Sequence, residues 1–142
     1  MRKAAGIYKI DDEYKIHSQS ETVDGFYLAS EPFYNLAATA DKSELAEKLF
    51  SALNKSRSDL PNPKDWKAEQ KSFLSAIKVK TVKHLHEKAS YCLVEMDGNK
   101  VGITPYKAMG LKDGFQPLEE NKIEINRDPQ QSVIDAVIAL LK

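Results

Sequence analysis

The stretch Tyr91-Cys92-Leu93-Val94-Glu95-Met96-Asp97-Gly98-Asn99-Lys100-Val101-Gly102-Ile103-Thr104 decides the fold. Two runs of alternating apolar and polar residues flank Asp97-Gly98, a dipeptide that favours a type I′ turn and so a β-hairpin. That turn predicts Val94 opposite Val101 and Cys92 opposite Ile103 on one face. On the other face it predicts Glu95 opposite Lys100, a favourable cross-strand charge pair.

Working outward, a second hairpin is predicted at the start. Tyr8 and Ile10 alternate with Lys9, and after Asp11-Asp12-Glu13 the residues Tyr14 and Ile16 alternate with Lys15 and His17. A three-residue loop pairs Ile10 with Tyr14 and Tyr8 with Ile16, so that all four apolar side chains share one face of a half-buried sheet. A polar turn over 18–24 leads to a short strand over 25–29. Ser30 then caps a brief helix with Pro32 in its first turn, running through Phe33, Tyr34 and Leu36.

Asp41, with Glu44 three residues on, opens a helix whose stripe is Leu45, Leu49, Ala52 and Leu53, supported by a Glu44–Lys48 pair. Asn62 and Pro63 are the predicted cap and first position of the next helix, with Trp66, Phe73, Leu74 and Ile77 inward. A short helix is read around Val82 and Leu85. Phe115–Leu118 and Lys122–Asn126 read as a third strand pair. Asp128 caps a last helix, with Pro129 in its first turn, that packs Val133, Ile134, Val137, Leu140 and Leu141 inward. About six strands in antiparallel pairs with three or four helices make an α+β class: an antiparallel sheet built from hairpins with helices packed around it.

A chain of 142 residues fits one domain spanning 1–142. Its 21 basic and 21 acidic residues cancel, leaving no global field to gather nucleic acid or an anionic membrane. No apolar run is long enough to span a bilayer. The opening Met1–Ile7 lacks a signal-length apolar stretch and reads as a strand. The single cysteine, Cys92, excludes an intrachain disulfide and fits a reducing compartment.

Few residues group into a pattern that performs chemistry. There is no glycine-rich phosphate loop, no paired-cysteine zinc motif and no helix with two histidines about a glutamate. His84 and His86, two apart, come together only on a strand, and their bland reading is a polar surface beside Lys83 and Lys88. Cys92 alternates with Val94 and Met96, which points to buried packing rather than a nucleophile. Asp11-Asp12-Glu13 reads as a solvated turn. Lys78, Lys80, Lys83, His84, His86 and Lys88 form the one basic cluster, a solvated face first and a contact for an acidic partner second. The long connection over 106–114, with Tyr106, Lys107, Met109, Lys112 and Asp113, is the candidate binding segment, its alternative being an ordinary connector. No catalytic residue, metal or cofactor is expected.

These features resemble the immunity-protein family of contact-dependent growth inhibition systems. The resemblance rests on the opening hairpin with Tyr14-Lys15-Ile16-His17-Ser18, on Pro61-Asn62-Pro63 ahead of Trp66, and on the run from Tyr91 through Gly98 to Gly114-Phe115, the 121–125 strand and the closing helix. It implies a non-enzymatic bacterial cytoplasmic protein that binds and neutralises the C-terminal toxin domain, commonly a nuclease, of a cognate exported effector. In some such proteins a toxin hairpin adds strands to the immunity protein's sheet. Binding residues vary with the toxin, so none is transferred. Immunity proteins against basic nucleases are frequently acidic, whereas this chain is neutral, which directs attention to local patches. The competing reading is a small hydrolytic domain using Cys92 or the histidines, or a nucleic-acid-binding module using the lysines of 78–88.

Overall fold

The computed structural model describes residues 2–110 and 114–141. The elements in chain order are β1 (Arg2–Ile10), β2 (Glu13–Glu21), β3 (Tyr27–Ala37), α1 (Lys42–Asn54), α2 (Trp66–Ile77), α3 (Val82–Lys88), β4 (Ser90–Asp97), β5 (Lys100–Ala108), β6 (Phe115–Pro117), a 3-10 turn (Glu119–Asn121), β7 (Ile123–Asn126) and α4 (Gln130–Leu140). The strands form one antiparallel seven-stranded sheet in the order β3-β2-β1-β4-β5, with β6 and β7 both paired to β5. The α+β class holds.

β1 lies in the middle and is buried on both faces, which changes the register of the first hairpin. Ile10 pairs with Glu13, Tyr8 with Lys15 and Ile7 with Ile16. The loop is only Asp11-Asp12, both with positive φ (53° and 60°), as a two-residue primed turn demands. The predicted pairing of Ile10 with Tyr14 was therefore wrong. Tyr8 and Ile10 belong to one cluster and Tyr14 and Ile16 to the other. A one-sided sheet would have forbidden this; helices on both faces allow it.

The second hairpin keeps its predicted faces, but its turn lies one residue further on and each pairing partner shifts by two. Gly98 (φ 60°) takes the first loop position, Asp97 pairs with Lys100, and Val94 pairs with Ile103. Glu95 stands opposite Gly102, not Lys100, and bonds instead to Arg2 Nε at 2.6 Å.

No helix forms at Ser30. The aromatic and aliphatic residues extend β3 to Ala37, and Glu31-Pro32 is accommodated where the register with β2 shifts between His17 and Ser18. Proline is tolerated there because an edge strand at a bulge requires no N–H from it. β6 and β7 do not pair with each other: they follow one another along β5, joined by the 3-10 turn and by Leu118 N donating to Pro105 O at 2.8 Å.

α1 and α4 cover one face, burying Leu45, Leu49, Leu53, Val133, Ile134 and Val137 against strand residues that include Ile7, Ile16, Val94 and Ile103. In α1, Lys48 lies over the Tyr34 ring and 3.9 Å from Glu47, in place of the predicted pairing with Glu44. α4 begins one residue later than predicted, with Pro129 at the cap position and Asp128 bonded to Arg127. α2 and α3 cover the opposite face, where Ile77, Val79 and Leu85 pack with Tyr8, Ile10 and Tyr91. Asp65, not Asn62, caps α2, accepting from the amides of Lys67 and Ala68; Thr81 caps α3, accepting from His84 N at 3.0 Å.

Candidate functional site

The predicted binding segment is only partly a loop. Tyr106 and Lys107 lie in β5, paired with Pro117 and Gln116, and Met109 follows the strand with its side chain 45% exposed. Lys112 and Asp113 fall outside the described residues. The basic cluster is divided by α3. His84 Nε2 donates to the Asp11 carboxylate at 2.9 Å, whereas His86 meets the edge of Phe115, and the lysines remain exposed. Cys92 has no exposure and its thiol is pushed up to about 12 by burial, so it is packed and unreactive rather than nucleophilic.

A more developed site lies where β1, β2 and β4 face α2. Tyr8 stacks near Tyr91 with ring centroids 4.4 Å apart, and Tyr91 reaches Tyr106 at 5.2 Å. His17 lies edge-on to Phe73 at 5.7 Å and parallel to Tyr91 at 6.4 Å. This arrangement depends on Gly6, which faces both groups across the strands. A Cβ there would stand 2.4 Å from His17 Nε2 and 2.6 Å from the Tyr91 hydroxyl, a distance no real contact tolerates. A glycine in the interior of a strand marks such close approach, and that was the available sequence signal.

Burial sets the charges of this layer. His17 is 3% exposed and its pKa is lowered to about 4 by desolvation, the bond to Ser18 O opposing only in part. The imidazole is therefore neutral near pH 7. Its Nδ1 lies 2.8 Å from the Ser18 carbonyl, an acceptor only, so Nδ1 carries the proton and Nε2 keeps a lone pair with no partner. Tyr8 and Tyr91 are likewise held protonated by burial.

Above this layer is a cavity of about 390 Å³ walled by Tyr8, Tyr91, Phe73, Tyr27 and Trp66, with His17 at its floor and Glu69 at its side. At its rim Tyr27 (54%) and Trp66 (50%) are exposed, and Phe26 (52%) packs on Trp66. Trp66 was expected to face the core; as the first residue of α2, past the capping Asp65, it lies instead edge-to-face with Phe26 at 5.5 Å. The turn that presents Phe26 is tied down. Thr22 N donates to Phe26 O at 2.7 Å, Phe26 N donates to Thr22 Oγ1 at 3.0 Å, and Asn62 donates to Asp24. Exposed aromatic side chains held in this way would gain most on burial by a partner and have little freedom left to lose.

The outer edge of β3 runs beside this cluster. Among the described residues, 27–30 make no backbone hydrogen bond beyond the pairing with β2, whereas Pro32 blunts the edge further along. Among the described residues no helix is long and apolar enough to cross a membrane.

Comparison with known proteins places this arrangement. A family model described as "CDI immunity protein" matches residues 3–140. A protein of unknown function from Neisseria meningitidis has a similar structure, with 16% identity, 99% of this chain and 93% of that one covered, and a TM-score of 0.76. A CdiA-CT/CdiI toxin and immunity complex from Yersinia pseudotuberculosis matches with 12% identity, 100% and 98% coverage, and a TM-score of 0.74. At such identities the likeness shows the fold alone. No curated protein matches the sequence.

Proposed function

The chain belongs to the CDI immunity protein family, and from that premise we propose that it binds and neutralises the toxin domain of a cognate contact-dependent growth inhibition effector. It acts in the bacterial cytoplasm as one stoichiometric domain, by occlusion and not by turnover. The toxin it meets is a nuclease, a part of the proposal supported by the family resemblance.

The observation that carries the reading is the preorganised aromatic rim of Phe26, Tyr27 and Trp66 beside the unblocked backbone of 27–30. A toxin strand pairing with that backbone satisfies donors and acceptors that otherwise face water, while its side chains meet the aromatic rim. Tyr106, Lys107 and Met109 supply a second contact, linked to the cavity through the Tyr106–Tyr91 ring pair.

Co-expression with the toxin domain encoded beside it tests the proposal. Growth should be rescued and a one-to-one complex should be isolated. Phe26→Ala with Trp66→Ala should weaken the complex by about 2 kcal/mol or more, since truncated aromatic anchors commonly cost this much. Absence of rescue and of any complex would sink the reading.

A further inference from the structure

We infer that the cleft between β3 and α2 receives an arginine side chain of the partner protein, an inference that rests on the toxin-binding reading above. The walls are aromatic side chains, and a planar, weakly hydrated guanidinium stacks on such rings over a larger area than the compact, strongly hydrated ammonium. The molecule already makes this contact at the rim: the guanidinium of Arg2 lies 5.0 Å from the centre of the Tyr27 ring.

Charge selects the same occupant. Glu69 borders the cavity and also an adjoining groove of about 240 Å³, which Glu31 borders as well. Among the described residues neither carboxylate has an ion-pair partner. Arg2, the cation that meets the Tyr27 ring, is neutralised by Glu95 at 2.6 Å. His17, also in the lining, adds no opposing charge, because it is buried in its neutral form. A group with several donors and no acceptor complements this set; ammonium and guanidinium both answer that description, and the planar guanidinium alone can also stack flat on the aromatic walls. A neutral chain thereby offers a locally acidic, aromatic receptor to a basic partner.

The test has two arms. In the first, N-acetyl-arginine amide and its lysine counterpart are titrated into the full chain while the Trp66 indole resonance is followed. Saturable shifts with the arginine probe, weaker by about three- to thirtyfold with the lysine probe or in Glu69→Gln, are expected. No saturable shift, or equal response to both probes, overturns the inference. In the second arm each arginine of the toxin domain is changed to alanine. One such change should weaken the complex about three- to thirtyfold and have little further effect when the immunity chain carries Glu69→Gln. A complex insensitive to every arginine change and to Glu69→Gln overturns the receptor while leaving the immunity function standing. If wild-type chains form no complex, the toxin-binding reading fails by itself, and the amino-acid titration still decides the cleft.

Discussion

Acidification should destabilise this protein through one side chain, His17. Its imidazole is enclosed by Tyr8, Phe33, Phe73 and Tyr91, and desolvation lowers its pKa to about 4 from the ordinary 6.5. The fold thus binds the neutral ring, whereas the unfolded chain takes up a proton at higher pH. Stability from this source is complete above about pH 6.5, declines as pH falls towards 4, and changes no further below that. The difference in proton affinity is worth about 3 kcal/mol, a large share of the roughly 5–15 kcal/mol that holds a typical domain together. Among the groups facing the ring, Tyr8 and Tyr91 stay protonated throughout the window, and Glu69 stands at the cavity side. Urea unfolding midpoints at about pH 7.5, 6, 5 and 4, with the slope checked for constancy, measure the effect. His17→Phe lacks the titration and should flatten the profile across that window, whatever its own stability. If wild type and variant lose stability in parallel between pH 6.5 and 4, the buried neutral histidine is not the cause and the reasoning fails.

Gly6→Ala should destabilise by about 1–3 kcal/mol or more, because the new methyl group overlaps the His17 ring and the Tyr91 hydroxyl; thermal melts of the single variant and of a Gly6→Ala, His17→Ala double variant should show part of the added loss relieved. Cys92 should resist a thiol-reactive dye at about pH 8 in the native state and react once urea exposes it, so rapid native labelling would contradict its burial between the sheet and the helices. Thr81→Ala should cost about 1 kcal/mol by removing the bond to His84 N, read from urea midpoints, and Thr81→Ser should retain most of it.

How far the sequence specified this molecule is clearest in its two hairpins. The 91–104 hairpin was legible because strict alternation and Asp97-Gly98 agree, and the faces came out right although the turn moved on by one residue. The first hairpin misled because β1 is central: with helices above and below, both faces are apolar, and alternation no longer fixes the register. Asp11 and Asp12 both adopt positive φ and form a two-residue turn in place of the expected three-residue loop. At 30–36 tertiary pairing with β2 prevailed over a plausible proline-led helix start. The binding surface was the least legible part. Lys78, Lys80 and Lys83 attract notice in the sequence but remain ordinary exposed charges, whereas Trp66 looked like a core residue until Asp65 proved to be the cap. His17 and Gly6 lie in different strands, and nothing local reveals that one was made small to admit the other.

The position of β1 has a consequence for biosynthesis. Strand β1 pairs on one side with β2, close by in the chain, and on the other with β4, whose pairing partners for Arg2 through Lys9 run from Asp97 back to Ser90. Until the second half of the chain has been made, β1 therefore lacks the strand that covers one of its flanks. The sheet closes only after the second half has left the exit tunnel. A fragment ending before Asp97 accordingly lacks part of the pairing that places β1 at the centre of the sheet.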